Sequence, residues 1–82
     1  MKISVETGRR SLHKEIVSLL EQSELQAEFE GNDSMNPISL VFSVNIENEG
    51  EAIMKTEQLI RKQFGKALSF RVVPAGSIVY FK

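Results

Sequence analysis

The sequence predicts an α+β fold, a two-layer sandwich in which two helices cover one face of an antiparallel sheet. Two segments carry apolar residues at the three- and four-residue spacing of an amphipathic helix. Four others carry them at every second position, as half-buried strands do. Their order is strand–helix–strand–strand–helix–strand, with a possible extra strand at the C-terminus. This order is typical of a ferredoxin-like βαββαβ sandwich.

The first predicted strand and helix occupy the N-terminal quarter of the chain. Ile3 and Val5 alternate with polar residues, which indicates a strand with one buried face. Gly8 breaks that pattern, and Thr7 or Ser11 has the side chain expected to cap a following helix. From residue 9 to residue 23 the apolar residues fall on one helical face: Leu12, Ile16, Val17, Leu19 and Leu20.

A hairpin of two strands is predicted in the middle of the chain. Residues 25–30 alternate apolar and polar side chains, which indicates the second strand. Residues 31–37 are almost all turn formers and predict the hairpin loop. Residues 38–46 give the longest alternation in the sequence and predict the third strand. We expect this strand beside the first one at the sheet centre, with right-handed crossovers placing both helices on one face.

The second predicted helix has clear start and stop signals. Asn48 followed by Glu51 resembles a capping box, and Gly65 is suited to end the helix. A fourth strand is predicted over residues 68–72. Residues 77–82 follow a turn and form a possible fifth strand, either beside the fourth or against another chain.

Composition limits the classes of function. The 82 residues predict a single domain over residues 1–82, with 41% apolar and 26% charged residues and a net charge of −1. Because cysteine is absent, disulfides, thiol catalysis and cysteine-ligated metals are excluded. We expect a cytoplasmic protein without a membrane span or secretory signal. Basic residues form only small groups, so nucleic-acid binding is not expected.

The chain offers little for catalysis, so we expect no enzyme activity, metal or cofactor. His13 is the single histidine, and nothing in its predicted neighbourhood completes a catalytic triad. The close carboxylate pairs, Glu28 with Glu30 and Glu47 with Glu49, lie on predicted exposed positions. Exposed carboxylates lack the desolvation that would separate an acid from a base.

The charges of the first predicted helix run against its dipole. Basic residues crowd its start and acidic residues its end, whereas the second helix shows the favourable arrangement. The turn at Gly8 combines backbone amides with guanidinium and hydroxyl donors. This combination predicts a site for a carboxylate or phosphate formed by Thr7, Gly8, Arg9, Arg10 and Ser11. The alternative is that the arginines are solvated or pair with Glu6, Glu28 or Glu30.

Two stretches resemble a known family. The run Ile-Ser-Val-Glu-Thr-Gly-Arg-Arg-Ser-Leu-His-Lys-Glu-Ile-Val-Ser-Leu-Leu over residues 3–20 resembles the opening of ACT regulatory domains. The approach to the fourth strand, residues 64–70, is similar to them in outline. Arg10-Ser11 stands where that family has Pro-Gly, and Ser23-Glu24 stands where it has a glycine after the helix. The resemblance implies a sensor that binds an amino acid or small anion at the turn between protomers.

The C-terminal segment is the second candidate for function. It is β-prone and apolar on both faces, with Ile78, Val79, Tyr80 and Phe81 as the predicted interaction residues. We therefore expect a small non-enzymatic interaction or regulatory module that binds a second copy or another protein through sheet edges or this segment. The alternative is the ACT-like sensor. An accessory protein of a mobile element acting on a host partner is a third possibility.

Overall fold

The computed structural model describes residues 1–33 and 36–75 and has an α+β fold. A four-stranded antiparallel sheet is combined with two α-helices. The elements, in chain order, are strand β1 (Lys2–Glu6), a 3-10 turn (Arg10–Leu12), helix α1 (His13–Glu21), strands β2 (Glu28–Asp33) and β3 (Asn36–Ser43), helix α2 (Glu49–Phe64) and strand β4 (Arg71–Pro74).

The sheet has the strand order β2-β3-β1-β4. β1 pairs antiparallel with β3 on one side and with β4 on the other, and β2 pairs antiparallel with β3. Val5 stands opposite Leu40 in β3 and Val72 in β4. The prediction that the first and third strands lie side by side at the centre is confirmed.

One hydrophobic core joins the sheet to both helices. α1 and α2 contact each other, and their buried residues belong to the same cluster as the inward-facing strand residues. Both helices therefore cover one face of the sheet, as predicted. Each fully buried Leu, Ile or Phe stabilises the fold by roughly 1.5–3 kcal/mol. The fully buried members include Ile3, Val5, Ile16, Leu20, Phe42, Ala52 and Ile60.

The β2–β3 hairpin differs from its prediction. β2 begins at Glu28 instead of residue 25 and continues to Asp33, so most of the predicted loop is strand. Gln26 has a φ of 51°, which is incompatible with an extended strand at that point. Pairing with β3 extends the ladder through residues that favour turns, with a register shift between Phe29 and Gly31. Tertiary pairing thus overrides local preference here.

Helix α1 lacks the predicted cap. A 3-10 turn precedes it, and the residue at its N-cap is Leu12, with no side-chain hydrogen bond. The expectation that Thr7 or Ser11 caps the helix is wrong. The Thr7 hydroxyl donates instead to the Ser69 carbonyl oxygen at 3.0 Å. It is held by the loop before β4, which the sequence pattern could not indicate.

Helix α2 begins and ends where predicted. The Asn48 side chain accepts a hydrogen bond from the Glu51 amide at 2.9 Å, and Gly65, with a φ of 76°, ends the helix. Glu51 and Lys55 form an exposed ion pair at 3.2 Å. Arg61 does not pair with a glutamate one turn earlier but donates to the Leu68 carbonyl oxygen at 3.0 Å.

The last described strand is displaced from its prediction. β4 covers Arg71–Pro74, whereas alternation predicted residues 68–72. Leu68 is buried as expected, but in the loop between α2 and β4. The possible fifth strand over residues 77–82 lies outside the described residues.

Candidate functional site

The turn after β1 brings together the five residues predicted to bind an anion. Arg9, Arg10 and Ser11 are exposed, whereas Thr7 is buried. The Thr7 hydroxyl oxygen, besides donating to Ser69, accepts a hydrogen bond from the Arg9 amide at 3.3 Å. Thr7 therefore orders the turn from within, and its hydroxyl is already engaged.

The backbone amides of this turn are also largely engaged. The Arg10 amide donates to the Gly8 carbonyl oxygen at 2.9 Å, and the Leu12 amide donates to the Arg9 carbonyl oxygen at 2.9 Å. With the Arg9 amide bonded to Thr7, the amides of Arg9, Arg10 and Leu12 are all bonded within the turn. An anion at this turn would therefore be held mainly by the two guanidinium groups. The anion site stays a prediction.

His13 lies at the start of α1, next to this turn. Its Nε2 is 3.1 Å from the Thr7 carbonyl oxygen. A carbonyl oxygen only accepts, so the ring donates through Nε2, and the neutral imidazole keeps Nδ1 as an acceptor. This bond ties α1 to the end of β1, which gives the histidine a positioning role in the fold.

A cleft of about 460 Å³ opens between α1 and the edge strand β2. Its apolar part is formed by Val17, Phe29 and Leu40, and its polar part by His13, Lys14, Ser18, Glu21, Gln22 and Asn32. We call this the α1–β2 cleft. Its volume lies in the range of small-ligand sites, roughly 300–1,000 Å³.

The α1 wall of the cleft follows from helical spacing. Lys14, Ser18 and Glu21 recur at intervals of four and three residues, so they form one stripe along α1. This stripe lies beside the apolar stripe that faces the core. The sequence analysis did not predict this cleft, although the stripe on α1 can be recognised from the helical spacing of its residues. The opposite wall, from Phe29 and Asn32, exists only because β2 lies at the edge of the sheet.

The amide of Asn32 is fixed in this cleft. Its Nδ2 donates to the Pro37 carbonyl oxygen at 3.1 Å and to the Ser39 carbonyl oxygen at 3.4 Å. Both amide protons are thereby used, and Oδ1 remains as an acceptor. On the other wall, Gln22 Nε2 donates to Ser18 Oγ at 3.2 Å.

A second cleft of about 580 Å³ lies between the end of α1 and the outer side of α2. Leu25, Ile46 and Leu59 form its apolar part, and two lysines of α2, Lys55 and Lys62, stand at its rim. Lys55 is engaged by Glu51. Glu24 lies on the opposite side of this cleft from Lys55 and Lys62, so acidic and basic side chains line it as well.

The face of the sheet away from the helices is more buried than its polar composition suggested. Ser4, Ser39 and Val41 are each fully buried there, and the two serine hydroxyls hydrogen-bond to each other. Nearby, Glu6 accepts from Arg71 Nε at 2.8 Å, so the Glu6 carboxylate is not available to Arg9 or Arg10. This face is a packed surface with an ion pair at its margin.

Three further observations concern metal sites, membrane spans and the C-terminal segment. Among residues 1–33 and 36–75, no group of three or more His, Asp or Glu side chains is placed to hold a metal ion. In the same ranges, neither helix has the length and apolar character to cross a membrane. Ile78, Val79, Tyr80 and Phe81 lie outside the described residues.

Comparisons with known proteins do not assign a function to the chain. No family model matches the sequence, and neither a curated protein nor a solved structure matches it. The resemblance to ACT domains therefore stays a prediction based on the residues quoted above.

Proposed function

We propose that the protein is a small non-enzymatic interaction module that forms a homodimer through a sheet edge and its C-terminal segment. The observation that supports this most directly is the pairing of β4. β4 pairs only with β1 among the strands of residues 1–33 and 36–75, so none of these strands lies beside its other edge. An unpaired edge is a template for another extended segment.

The two outer strands are unequal as templates. β2 carries a register shift between Phe29 and Gly31 and the exposed carboxylate of Glu28, features that protect an edge from further pairing. β4 is only four residues long, carries the exposed Arg71 and ends at Pro74, and these features also limit pairing, but its ladder with β1 has no register shift. We take the β4 edge as the template because this ladder is regular, and the apolar run from Ile78 to Phe81 has the composition of a strand that would add to it.

Stability favours the same proposal. A chain of 82 residues buries only about 60% of its unfolded surface, so a dimer interface contributes substantially to the stability of the fold. Closed two-fold dimers are the commonest assembly of such chains. Pairing through a segment apolar on both faces would bury the side chains that a lone sandwich leaves without cover.

Light scattering coupled to size-exclusion chromatography tests the dimer. The wild-type chain is measured at two widely separated concentrations beside the double variant Val79→Lys plus Phe81→Lys. The charge-matched control is Gln58→Lys plus Gln63→Lys, two exposed positions of α2. We expect a dimer for the wild type and the control and a monomer for the double variant. A wild-type monomer at both concentrations refutes the proposal, and a dimer in the double variant removes the C-terminal segment from it.

The ferredoxin-like assignment and the cytoplasmic location belong to the same proposal. The assignment is supported by the βαββαβ order and by β1 and β3 at the centre of the sheet. The location is supported by the cysteine-free composition. An interaction module needs no catalytic group, and the bond from His13 to the backbone fits a structural histidine.

The sensor of a small anion at Thr7–Ser11 ranks second, since three amides of that turn are bonded within the chain. A thermal-shift screen with amino acids and phosphorylated metabolites tests it. Stabilisation that disappears in Arg9→Ala plus Arg10→Ala supports this site. Stabilisation retained in that variant, or none in the wild type, removes it.

A further inference from the structure

We propose that the α1–β2 cleft binds a short zwitterionic peptide, a free tripeptide with an apolar central side chain. Its C-terminal carboxylate would lie at Lys14 and its N-terminal ammonium at Glu21. This proposal goes beyond self-association and concerns a surface that the dimer edge at β4 does not use.

The charges of the cleft are the first argument. Lys14 lines one end and Glu21 the other, and both side chains are exposed. Neither forms an ion pair among the described residues, in contrast to Lys55 and Glu6. Two opposite charges that share a cleft without neutralising each other are complementary to a ligand with the reverse pair.

The spacing of these charges is the second argument. Lys14 and Glu21 are seven positions apart in α1, which corresponds to about 10.5 Å between their backbone positions along the helix axis. An extended tripeptide spans about 10 Å. The backbone spacing therefore matches a peptide of about three residues better than a single amino acid.

The dipole of α1 is the third argument. The N-terminus of a helix carries a partial positive charge and its C-terminus a partial negative charge. Lys14 at the start and Glu21 at the end of α1 add to this dipole, although Glu15 in the first turn offsets part of the Lys14 charge. The arrangement is unfavourable for the isolated helix, and a ligand dipole lying antiparallel along the cleft compensates it. Binding of the peptide thus gives the reversed charges of α1 a physical role.

The remaining surface fits the body of a peptide. Val17, Phe29 and Leu40 provide an apolar floor for one side chain. Asn32, held by its two donor bonds, presents Oδ1 as a fixed acceptor for a peptide amide. Within the described residues β2 pairs only with β3, so the cleft opens beside the outer edge of β2. Because the register shift of β2 disfavours strand addition, the side chains of the cleft hold the peptide.

Nuclear magnetic resonance titration of the full-length chain with Ala-Leu-Ala is the direct test. The same peptide is used with its N-terminus acetylated, with its C-terminus amidated, and with both ends blocked. We expect the free peptide to shift the amide signals of Val17, Ser18, Phe29 and Asn32. Each blocked end should weaken binding by about two- to fivefold, the range of an exposed ion pair.

Single substitutions test which charge of the cleft binds which end of the peptide. In Lys14→Gln the free and amidated peptides should bind alike, and in Glu21→Gln the free and acetylated peptides should bind alike. Lys66→Gln, which changes an exposed lysine outside the cleft, is the matched control and should preserve all differences. Melting temperatures equal to that of the wild type or slightly above it, as expected when a charge that opposes the helix dipole is removed, verify that the exposed substitutions leave the fold intact.

Three outcomes overturn the proposal. One is equal binding of the free and doubly blocked peptides, which indicates apolar capture alone. Another is a set of shifts confined to the second cleft or absent at millimolar peptide. The third is a change of the same α1 and β2 signals on dilution without any effect of peptide, which makes the cleft an interface between copies.

Discussion

Arg61 joins the end of α2 to the loop that leads into β4, and its removal gives a quantitative test of the structure. Its guanidinium donates to the Leu68 carbonyl oxygen at 3.0 Å and to the Gly65 carbonyl oxygen at 3.3 Å. The guanidinium carbon lies 4.5 Å from the centre of the Phe70 ring. These contacts hold the loop on the core while β4 pairs with β1.

The magnitude follows from these contacts. The part-buried bond to Leu68 contributes about 1 kcal/mol and the cation–π contact about 0.5–1 kcal/mol. The longer bond to Gly65 is exposed and adds little. Arg61→Ala should therefore lower the free energy of unfolding by about 2 kcal/mol, which corresponds to a fall in Tm of about 8–16 °C for a domain of this size. Alanine is the best helix former, so helix propensity does not contribute to the loss.

Urea denaturation followed by circular dichroism measures this effect. Lys62→Ala, the neighbouring exposed substitution, should stay within about 0.5 kcal/mol of the wild type. Arg61→Lys keeps the charge but loses the planar fork, so about half the effect is expected. A double-mutant cycle with Phe70→Leu should give a coupling of about 0.5–1 kcal/mol. If Arg61→Ala is as stable as the Lys62 control, the assigned role of Arg61 is refuted.

Four further variants test the helices and the turn before β2. Gly50→Ala should raise the free energy of unfolding by about 0.5–1 kcal/mol, because the added Cβ meets only a side-chain oxygen at 3.6 Å. The matched change Gly65→Ala should lower it, because Gly65 has a φ of 76°; a gain there in urea denaturation contradicts the assigned cap. Gln26→Gly should raise it by up to about 1 kcal/mol, since Gln26 has a φ of 51°, and a loss in the same assay shows that this conformation is not strained. The exchange Lys14→Glu plus Glu21→Lys should stabilise α1 by about 0.5–2 kcal/mol at low salt, with the gain lost in high salt. A gain that does not depend on salt argues against the dipole as its cause.

Local signals in the sequence were sufficient for α2 and for part of the sheet. The Asn48 cap and the Gly65 stop depend on interactions within four residues of the chain, and both are present. The alternation around Ile3 and Val5 placed β1 correctly for the same reason. At α1 the local signal was insufficient, since the hydroxyl of Thr7 bonds to Ser69, 62 residues away.

In the candidate site, too, some features follow from the local sequence and others only from the tertiary structure. The five residues of the turn after β1 were predicted to form an anion site, which stays a prediction. The engagement of the turn's amides depends on the 3-10 turn that precedes α1. The α1–β2 cleft was not predicted. One wall was encoded as the stripe from Lys14 to Glu21, whereas the wall formed by Phe29 and Asn32 required the strand order.

The sequence by itself determined the α+β class, the order of the elements, the two amphipathic helices and the side chains that form their shared core. Periodicity and capping are short-range properties, so they can be read along the chain. Only the tertiary structure decided where β2 begins, which carbonyl Arg61 binds, and that Ser4 and Ser39 are buried against each other. Those features depend on contacts between distant segments, whose register is set by the closing of loops and the packing of the whole core.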